Sequence, residues 1–158
     1  MNISIDQIKK LREETGAGIA DVRAALEEAL RQAQGEQAFD KAKSILKSKG
    51  IDKAASKSER EVKAGVIETY SHNGKVGVLV ELLCETDFVA KTEDFKNLAH
   101  ELALQVASMK PDSLDELLKQ DYIRDPAIKV EDFIKGIIGK LGENIQVGRF
   151  ERIALGEN

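Results

Sequence analysis

The fold of this chain is decided by the stretch Val76-Gly77-Val78-Leu79-Val80-Glu81-Leu82-Leu83-Cys84-Glu85-Thr86-Asp87-Phe88-Val89-Ala90. In its first part, apolar side chains alternate along one face at Val76, Val78, Val80, Leu82 and Cys84, which is the period of a β-strand. Beyond its end, apolar residues recur with helical spacing at Phe95, Leu98, Ala99, Leu102 and Val106. Residues 85–90 are therefore predicted to connect a strand to a helix that packs on it.

Phe88 stands on this connection and belongs cleanly to neither pattern. The other four phenylalanines lie in stretches predicted as helix or strand. An apolar ring beside Asp87, on a connection held at both ends by rigid elements, can reach a partner. The alternative is that Phe88 continues the even-numbered strand face and closes the end of the core. The pattern alone favours that packing role, because most aromatic side chains serve packing.

Composition restricts the function classes. Charged residues make up 33% and hydrophobic residues 42% of the 158 residues, which is typical of a soluble globular protein. The net charge of -4 argues against direct nucleic-acid binding. No apolar run approaches membrane-spanning length and no signal-peptide core is visible, so the sequence predicts a cytoplasmic protein without membrane contact. A single cysteine, Cys84, excludes an internal disulfide, and its place on the apolar strand face favours a buried structural thiol.

Residues 1–50 are predicted to form a three-helix bundle. Ser4 and Gln7 have the spacing of a capping box, and Gly16 suits the left-handed position after a helix end. Two further apolar stripes follow, the second of which is expected to end at Gly50. No spacing in residues 1–50 forces two carboxylates together and the segment contains no histidine, so the sequence favours a binding surface over a catalytic cleft. Residues 51–60 form a charged linker, compatible with a helix, at the predicted domain boundary.

Residues 61–158 are predicted to form an α+β core domain. Glu61–Tyr70 and the valine-rich strand are joined by Asn73-Gly74, the preferred pair for a type I′ hairpin turn. A long helix capped by Thr92, a short segment after Ser113, an Asp125-Pro126 turn and a helix stopped by Gly142 follow. Ile145 and Val147 begin a last strand, in which Gly148 suggests a bulge. The expected fold class is α+β: a UBA-like bundle, then an antiparallel three-stranded sheet with helices on one face.

The sequence contains no recognisable catalytic or metal-binding constellation. His72 and His100 have no spacing that couples them to a cysteine or a carboxylate pair, and solvated histidines are the default. No glycine-rich segment has the spacing of a phosphate-binding loop. We therefore expect no cofactor, no metal site and no catalytic residues. The sequence favours a binding protein over an enzyme that changes covalent bonds.

Three stretches together resemble the elongation factor Ts family, the guanine-nucleotide exchange factors of elongation factor Tu. The first is Leu11–Leu26, the second is Val78–Ala90 with its Thr86-Asp87-Phe88-Val89 signature, and the third is Gly142-Glu143-Asn144-Ile145 followed by Arg149-Phe150-Glu151-Arg152. One such motif is weak, whereas three in series with matching spacing are highly specific. The resemblance runs from about residue 3 to residue 155.

The resemblance implies two sets of residues that contact elongation factor Tu in its GDP-bound and nucleotide-free forms. Asp87 and Phe88 would press on the nucleotide-binding domain, with the ring wedged beside the magnesium and phosphate site, while Thr86 and Val89 shape the turn. The N-terminal bundle would contact another helix of the same domain through Arg12, Ile19, Ala20, Asp21 and Arg23. The chain departs from the family at Ile19-Ala20, where larger apolar residues are common.

The resemblance also implies a homodimer. Many members carry two copies of the sheet subdomain, whereas short members with one copy, which this chain resembles, pair with a second protomer. Leu79 and Leu83, on the strand face opposite the core, are compatible with a dimer joined through its sheets.

Two other functions stay open at this point. Residues 1–50 could act as a ubiquitin-associated type of adaptor module, in which case Phe88 would belong to the core. Alternatively, Cys84 could be the nucleophile of an enzyme, although no suitably placed base is apparent in the sequence.

Overall fold

The computed structural model describes residues 3–157; the predicted domain limits at residues 1 and 158 lie outside them. The helices are α1 (Ile5–Thr15), α2 (Ile19–Gln32), α3 (Gly35–Ala55), α4 (Asp87–Ala90), α5 (Glu93–Met109), α6 (Leu114–Lys119) and α7 (Val130–Leu141). The strands are β1 (Ala64–His72), β2 (Val76–Cys84), β3 (Asp121–Tyr122), β4 (Asp125–Lys129) and β5 (Ile145–Ala154). None of the helices in residues 3–157 is long and apolar enough to cross a membrane.

Helices α1 to α3 form the N-terminal bundle around a small core of their own. The predicted capping box is present: the Ser4 hydroxyl accepts from Gln7 N, and the Gln7 side chain accepts from Ser4 N. Gly16 ends α1 in the left-handed conformation, with φ +67°. The buried residues are Leu11, Val22, Ala25, Leu26, Ala29, Ala38, Ala42 and Leu46. Most of them are alanine or leucine, which fits a bundle of closely spaced short helices.

The prediction that the third helix ends at Gly50 is wrong. Helix α3 continues to Ala55, so only residues 56–60 of the predicted linker lie between the helix and the sheet domain. The close approach of the two helices here depends on Gly139 of α7, where an added Cβ atom would lie 2.9 Å from Gly50 Cα; a Cβ atom on Gly50 itself would meet no atom within 4 Å. Ala54, one turn beyond, is 3% exposed and belongs to the core of the sheet domain. The division into domains at residues 51–60 stays a prediction.

The antiparallel three-stranded sheet has the order β1-β2-β5, with β2 in the centre. Asn73 and Gly74 have φ values of 51° and 66°, the positive values that a type I′ turn requires at both central residues. The turn sets the register, in which Val66 pairs with Leu82 and Tyr70 with Val78. The hairpin prediction is therefore confirmed, with β1 shifted to Ala64–His72.

One face of the sheet is buried under helices and the other is open, which confirms the predicted α+β class. The even-numbered residues of β2 from Val78 to Cys84 are at most 3% exposed and share a core with α5 and α7. On the opposite face, the side chains of Ile67, Leu79 and Ile153 are 65%, 49% and 75% exposed.

The segment between α6 and α7 differs in detail from the prediction. Asp125-Pro126 begins strand β4 and does not form a turn; the connection from β3 to β4 lies at Ile123-Arg124. Strands β3 and β4 form a two-stranded ribbon, which is bonded to α5 by Gln105, a fully buried polar residue. Its side chain donates to Asp121 O over 3.0 Å and accepts from Ile123 N over 3.0 Å. These bonds satisfy backbone groups that a two-stranded ribbon leaves without partners.

A bulge interrupts β5, as the sequence predicts. Val80 pairs with Phe150 whereas Leu82 pairs with Val147, so β5 has one extra residue between these pairs. A side chain at Gly148 would overlap the Glu81 side chain. Glycine at the bulge therefore leaves room for the Glu81 carboxylate, which a larger residue would displace.

We expect Gly65→Ala to lower the free energy of unfolding by about 1–3 kcal/mol. A Cβ atom at residue 65 would overlap the carbonyl oxygen of Leu82 and lie 3.0 Å from Leu83 Cα. Both are backbone atoms of the central strand, so neither can move without distorting the sheet. Urea denaturation followed by circular dichroism measures the change.

Gly77→Ala is the matched control, because it lies in the neighbouring strand with no atom within 4 Å of an added Cβ. It should be neutral or stabilising by up to about 1 kcal/mol. Equal destabilisation by both substitutions would contradict the role of the close approach.

Candidate partner-binding site

The turn at residues 86–90 holds Phe88 outside the core. Thr86 caps the single-turn helix α4, its hydroxyl accepting from Val89 N over 3.3 Å. Val89 and Ala90 are only 5% and 6% exposed, whereas Phe88, directly before them, is 82% exposed. The packing interpretation of Phe88 is therefore wrong: Val89 fills the end of the core and the helical turn directs Phe88 away from it.

The register of the sheet explains which residues surround this turn. Cys84 at the end of β2 pairs with Ile145 at the start of β5. Because the strands are antiparallel, the next residues outward are Glu85 opposite Asn144 and Thr86 opposite Glu143. The loop that follows α7 is thus placed directly beside the Phe88 turn.

The Glu143 carboxylate accepts three hydrogen bonds from the turn. Its Oε2 accepts from Glu85 N over 3.1 Å and from Thr86 N over 3.0 Å, and its Oε1 accepts from the Thr86 hydroxyl over 2.6 Å. In the other direction, Glu85 Oε1 accepts from Asn144 N over 2.7 Å. Hydrogen bonds to a charged acceptor are stronger than neutral ones, so the backbone at residues 85–86 is firmly held.

Asn144 ties the same loop to the segment that follows α3. It is 2% exposed, and its side-chain amide donates to Arg60 O over 2.7 Å and to Ser58 O over 3.3 Å. The Arg60 guanidinium also lies 3.6 Å from Glu85 Oε1. Three separate parts of the chain therefore meet at the base of the Phe88 turn.

The bundle residues implied by the resemblance lie at the end of α1 and the start of α2. Arg12, Ala20 and Arg23 are exposed, and Ile19 is 57% exposed. Arg23 Nε donates to Glu27 over 3.1 Å within α2. Asp21 accepts from Lys53 Nζ over 2.7 Å, and this hydrogen bond lowers the pKa of the Asp21 carboxyl. Asp21 thus also links α2 to the last turn of α3.

Lys140 connects the α1–α2 loop with the segment that follows the Phe88 turn. A Cβ atom on Gly16 would lie 2.5 Å from Lys140 Cγ, so the lysine stem passes directly over this glycine. The Lys140 ammonium lies 2.9 Å from Asp94, in the first turn of α5. Bundle, α7 and the start of α5 are in this way joined by one side chain.

Cys84 is fully buried and donates to Thr86 O over 3.2 Å. Desolvation raises the pKa of this thiol, and the negative charge of Glu143 raises it further. A raised pKa leaves less thiolate at neutral pH, which is the reverse of what a nucleophile needs. The geometry gives the enzyme alternative no support.

We expect native Cys84 to react with iodoacetamide at pH 7.5 at least about tenfold more slowly than in the urea-unfolded chain. Both burial and the raised pKa act in this direction. Mass spectrometry of time points measures the rates. Equal rates in the two states would show that the thiol is accessible and would reopen the nucleophile hypothesis.

The histidines lie away from this turn, on β1 and α5. His100 Nδ1 is 3.0 Å from Glu68 Oε1, and His72 Nδ1 is 2.9 Å from the Tyr70 hydroxyl. The contact of His100 with one carboxylate was not expected from the sequence. Among residues 3–157, no group of three or more histidine, cysteine, aspartate or glutamate side chains is placed to hold a metal ion.

Sequence reasoning missed Glu85, Glu143 and Asn144, which hold the turn, and Lys140, which joins the bundle, α7 and the start of α5. Glu143 and Asn144 lie in a motif that the sequence singles out, but their spacing from Thr86 gives no sign of contact. The contact follows from the pairing of the end of β2 with the start of β5, and this pairing can be identified only once the register of the sheet is known.

Comparison with known proteins identifies relatives along the whole chain. The family model described as elongation factor TS matches residues 85–158. The protein named elongation factor Ts from Herpetosiphon aurantiacus is 39% identical, with all of both chains covered. Proteins of the same name from Thermotoga maritima and Coprothermobacter proteolyticus are 42% and 40% identical; both alignments cover 99% of this chain, and 98% and 100% of the respective relatives. The Herpetosiphon alignment spans 204 positions, so it includes positions opposite no residue of this 158-residue chain.

Proposed function

The chain belongs to the elongation factor Ts family of translation elongation factors, and on this premise we propose that it is a guanine-nucleotide exchange factor. Its partner is elongation factor Tu, which it binds in the GDP-bound and nucleotide-free forms. It promotes release of GDP by disturbing the magnesium and phosphate site, and it makes no covalent change. The observation that carries the proposal is the exposed Phe88 ring on a turn that is firmly held from behind.

The exposure of Phe88 supports a binding role on energetic grounds. An aromatic ring that is 82% exposed leaves a large apolar area in water, which contributes nothing to folding. The same area becomes favourable when a partner pocket covers it. Asp87 beside it is exposed and adds a charge with which the ring can be oriented in a complex.

The bundle supplies the second proposed contact, through Arg12, Ile19, Ala20, Asp21 and Arg23. Ile19 is exposed at the start of α2, Arg23 is exposed one turn later, and Arg12 is exposed near the end of α1. Asp21 already bonds to Lys53, so we assign it mainly to shaping the bundle surface. Two contacts on one partner allow the bundle to bind while Phe88 disturbs the nucleotide site.

Linkage sets the size of the effect that the contacts must produce. A factor that binds nucleotide-free elongation factor Tu more tightly than the GDP form must weaken GDP binding by the same ratio. About 4 kcal/mol of differential affinity corresponds to roughly a thousandfold shift. Buried aromatic anchors contribute on this scale, and the mechanism needs no acid or base.

Release of fluorescently labelled GDP from elongation factor Tu tests the proposal. The rate is measured against concentration of this protein, with excess unlabelled GDP as the chase. We expect a saturable acceleration of at least about a hundredfold, of the order that the differential affinity above allows. Binding to elongation factor Tu without any acceleration would reject exchange activity and favour the adaptor function of the bundle.

We also propose that two copies pair through the open faces of their sheets. The exposed Ile67, Leu79 and Ile153, with the half-buried Leu83, form an apolar surface on the side without helices. Sedimentation equilibrium should then give twice the chain mass at micromolar concentration, and a monomer would contradict the pairing. The proposed place of action is the cytoplasm, without direct contact with nucleic acid or a membrane.

A further inference from the structure

We propose that Glu143 and Asn144 are positioning residues for exchange: they fix the orientation in which the 86–90 turn presents Asp87 and Phe88. This inference rests on the proposed function and adds to it the part of the chain that controls the proposed wedge. Neither residue needs to touch the partner, because their side chains are occupied by the turn and by residues 58–60.

The chemistry of the contact requires a carboxylate at residue 143. Three donors converge on it: two adjacent backbone amides and one hydroxyl. A carboxylate only accepts hydrogen bonds and has lone pairs for all three. The Thr86 hydroxyl, while donating to Glu143, accepts from Val89 N and so caps α4. Glu143 therefore acts through Thr86 on the single helical turn that carries Phe88.

The geometry also explains why so short a helix keeps its conformation. A four-residue helix has too few internal hydrogen bonds to be stable alone. Its ends are fixed here by Val89 and Ala90 in the core and by the Thr86–Glu143 contact. Without Glu143 the turn keeps its apolar anchor but loses the support on the side of Thr86, so Phe88 samples several orientations.

Asn144 extends the same support to the bundle side of the molecule. Its amide binds the carbonyl groups of Ser58 and Arg60, a few residues after α3 ends at Ala55. A displacement of residues 58–60 would therefore also move Glu85 and Thr86, because the loop at residues 143–144 bonds to both segments. Asn144 would consequently help to set the distance between the bundle surface and the Phe88 turn, in addition to the orientation of the Phe88 ring.

Glu143→Ala tests the proposal in the labelled-GDP release assay with the full chain. We expect the maximal release rate to fall by about tenfold, while the factor concentration for half-maximal rate changes less than about twofold, because the bundle contact is retained. Glu143→Gln keeps one oxygen acceptor but turns a donor group toward the turn, so it should fall between the parent and alanine. Asp115→Ala, which removes a carboxylate that is 76% exposed on α6, away from the turn and from the open sheet face, is the control and should match the parent.

A double substitution separates positioning from a general loss of structure. If Glu143 acts through the ring, Glu143→Ala should have no further effect on the maximal rate in a Phe88→Ala background. Multiplying effects, or an unchanged rate for Glu143→Ala alone, would overturn the inference while leaving exchange by the parent protein intact. If the alanine variant is too unstable, the glutamine variant is used in the same cycle after thermal unfolding shows that it is folded. Absence of acceleration by the parent protein would instead refute the proposed function.

Discussion

Phe88→Ala is expected to reduce the maximal rate of GDP release from elongation factor Tu by at least about tenfold. The ring is 82% exposed, so its truncation removes little folded-state packing. Stability should accordingly change by less than about 0.5 kcal/mol, as for other surface substitutions. Labelled-GDP release measures the first quantity, and urea denaturation the second.

Leu155→Ala is a matched control for the loss of an exposed apolar side chain. Leu155 is 80% exposed, close to the value for Phe88, but directly follows β5 and lies far from Phe88 in the sequence. Its substitution should leave the release rate within about twofold of the parent. Equal losses for both variants would indicate a nonspecific apolar effect and contradict the assignment of Phe88.

Phe95→Ala should lower the free energy of unfolding by about 3–5 kcal/mol. Phe95 is fully buried in the first turn of α5, within the core that joins this helix to the sheet. Truncation removes the transfer energy of the ring and leaves a cavity that the surrounding strands cannot close. Because a domain of this size has only about 5–15 kcal/mol of stability, a large part is lost.

Urea denaturation by circular dichroism measures this loss, and Phe95→Leu provides the graded comparison. Leucine keeps most of the apolar volume and should cost less than alanine. A loss below about 1 kcal/mol for Phe95→Ala would mean that the core is less well packed than the burial of Phe95 indicates. Phe88→Ala, in contrast, should leave the free energy of unfolding nearly unchanged. The two substitutions therefore distinguish a loss of exchange activity from a loss of folding stability.

Much of the fold could be predicted because local rules determine it. Alternation along β2, the Asn73-Gly74 turn and the helical spacing after Thr92 each identify an element without tertiary information. Gly148 indicated the bulge for the same reason. These predictions depend on neighbours in sequence, which is where periodicity and turn chemistry are informative.

The failures concern residues whose role is set by distant partners. Gly50 resembles a helix terminator, yet α3 continues through it to Ala55, and its backbone lies close to Gly139 of α7. Phe88 fits the even-numbered face of β2 by position, but the backbone enters a helical turn after Thr86 and changes the direction of its side chain. Glu143 meets the turn only through the pairing of Cys84 with Ile145, which no local pattern reveals.

The uninterrupted helix α3 has a consequence for how tightly the two proposed surfaces would hold one partner. With a flexible chain of ten residues between them, the second surface would reach its target at a millimolar effective concentration and lose entropy on each attachment. Here α3 runs to Ala55, and Ala54 is buried in the sheet domain. Attachment of the proposed bundle surface would therefore already orient the Phe88 turn, so each proposed surface could be small and release quickly while the pair stays bivalent.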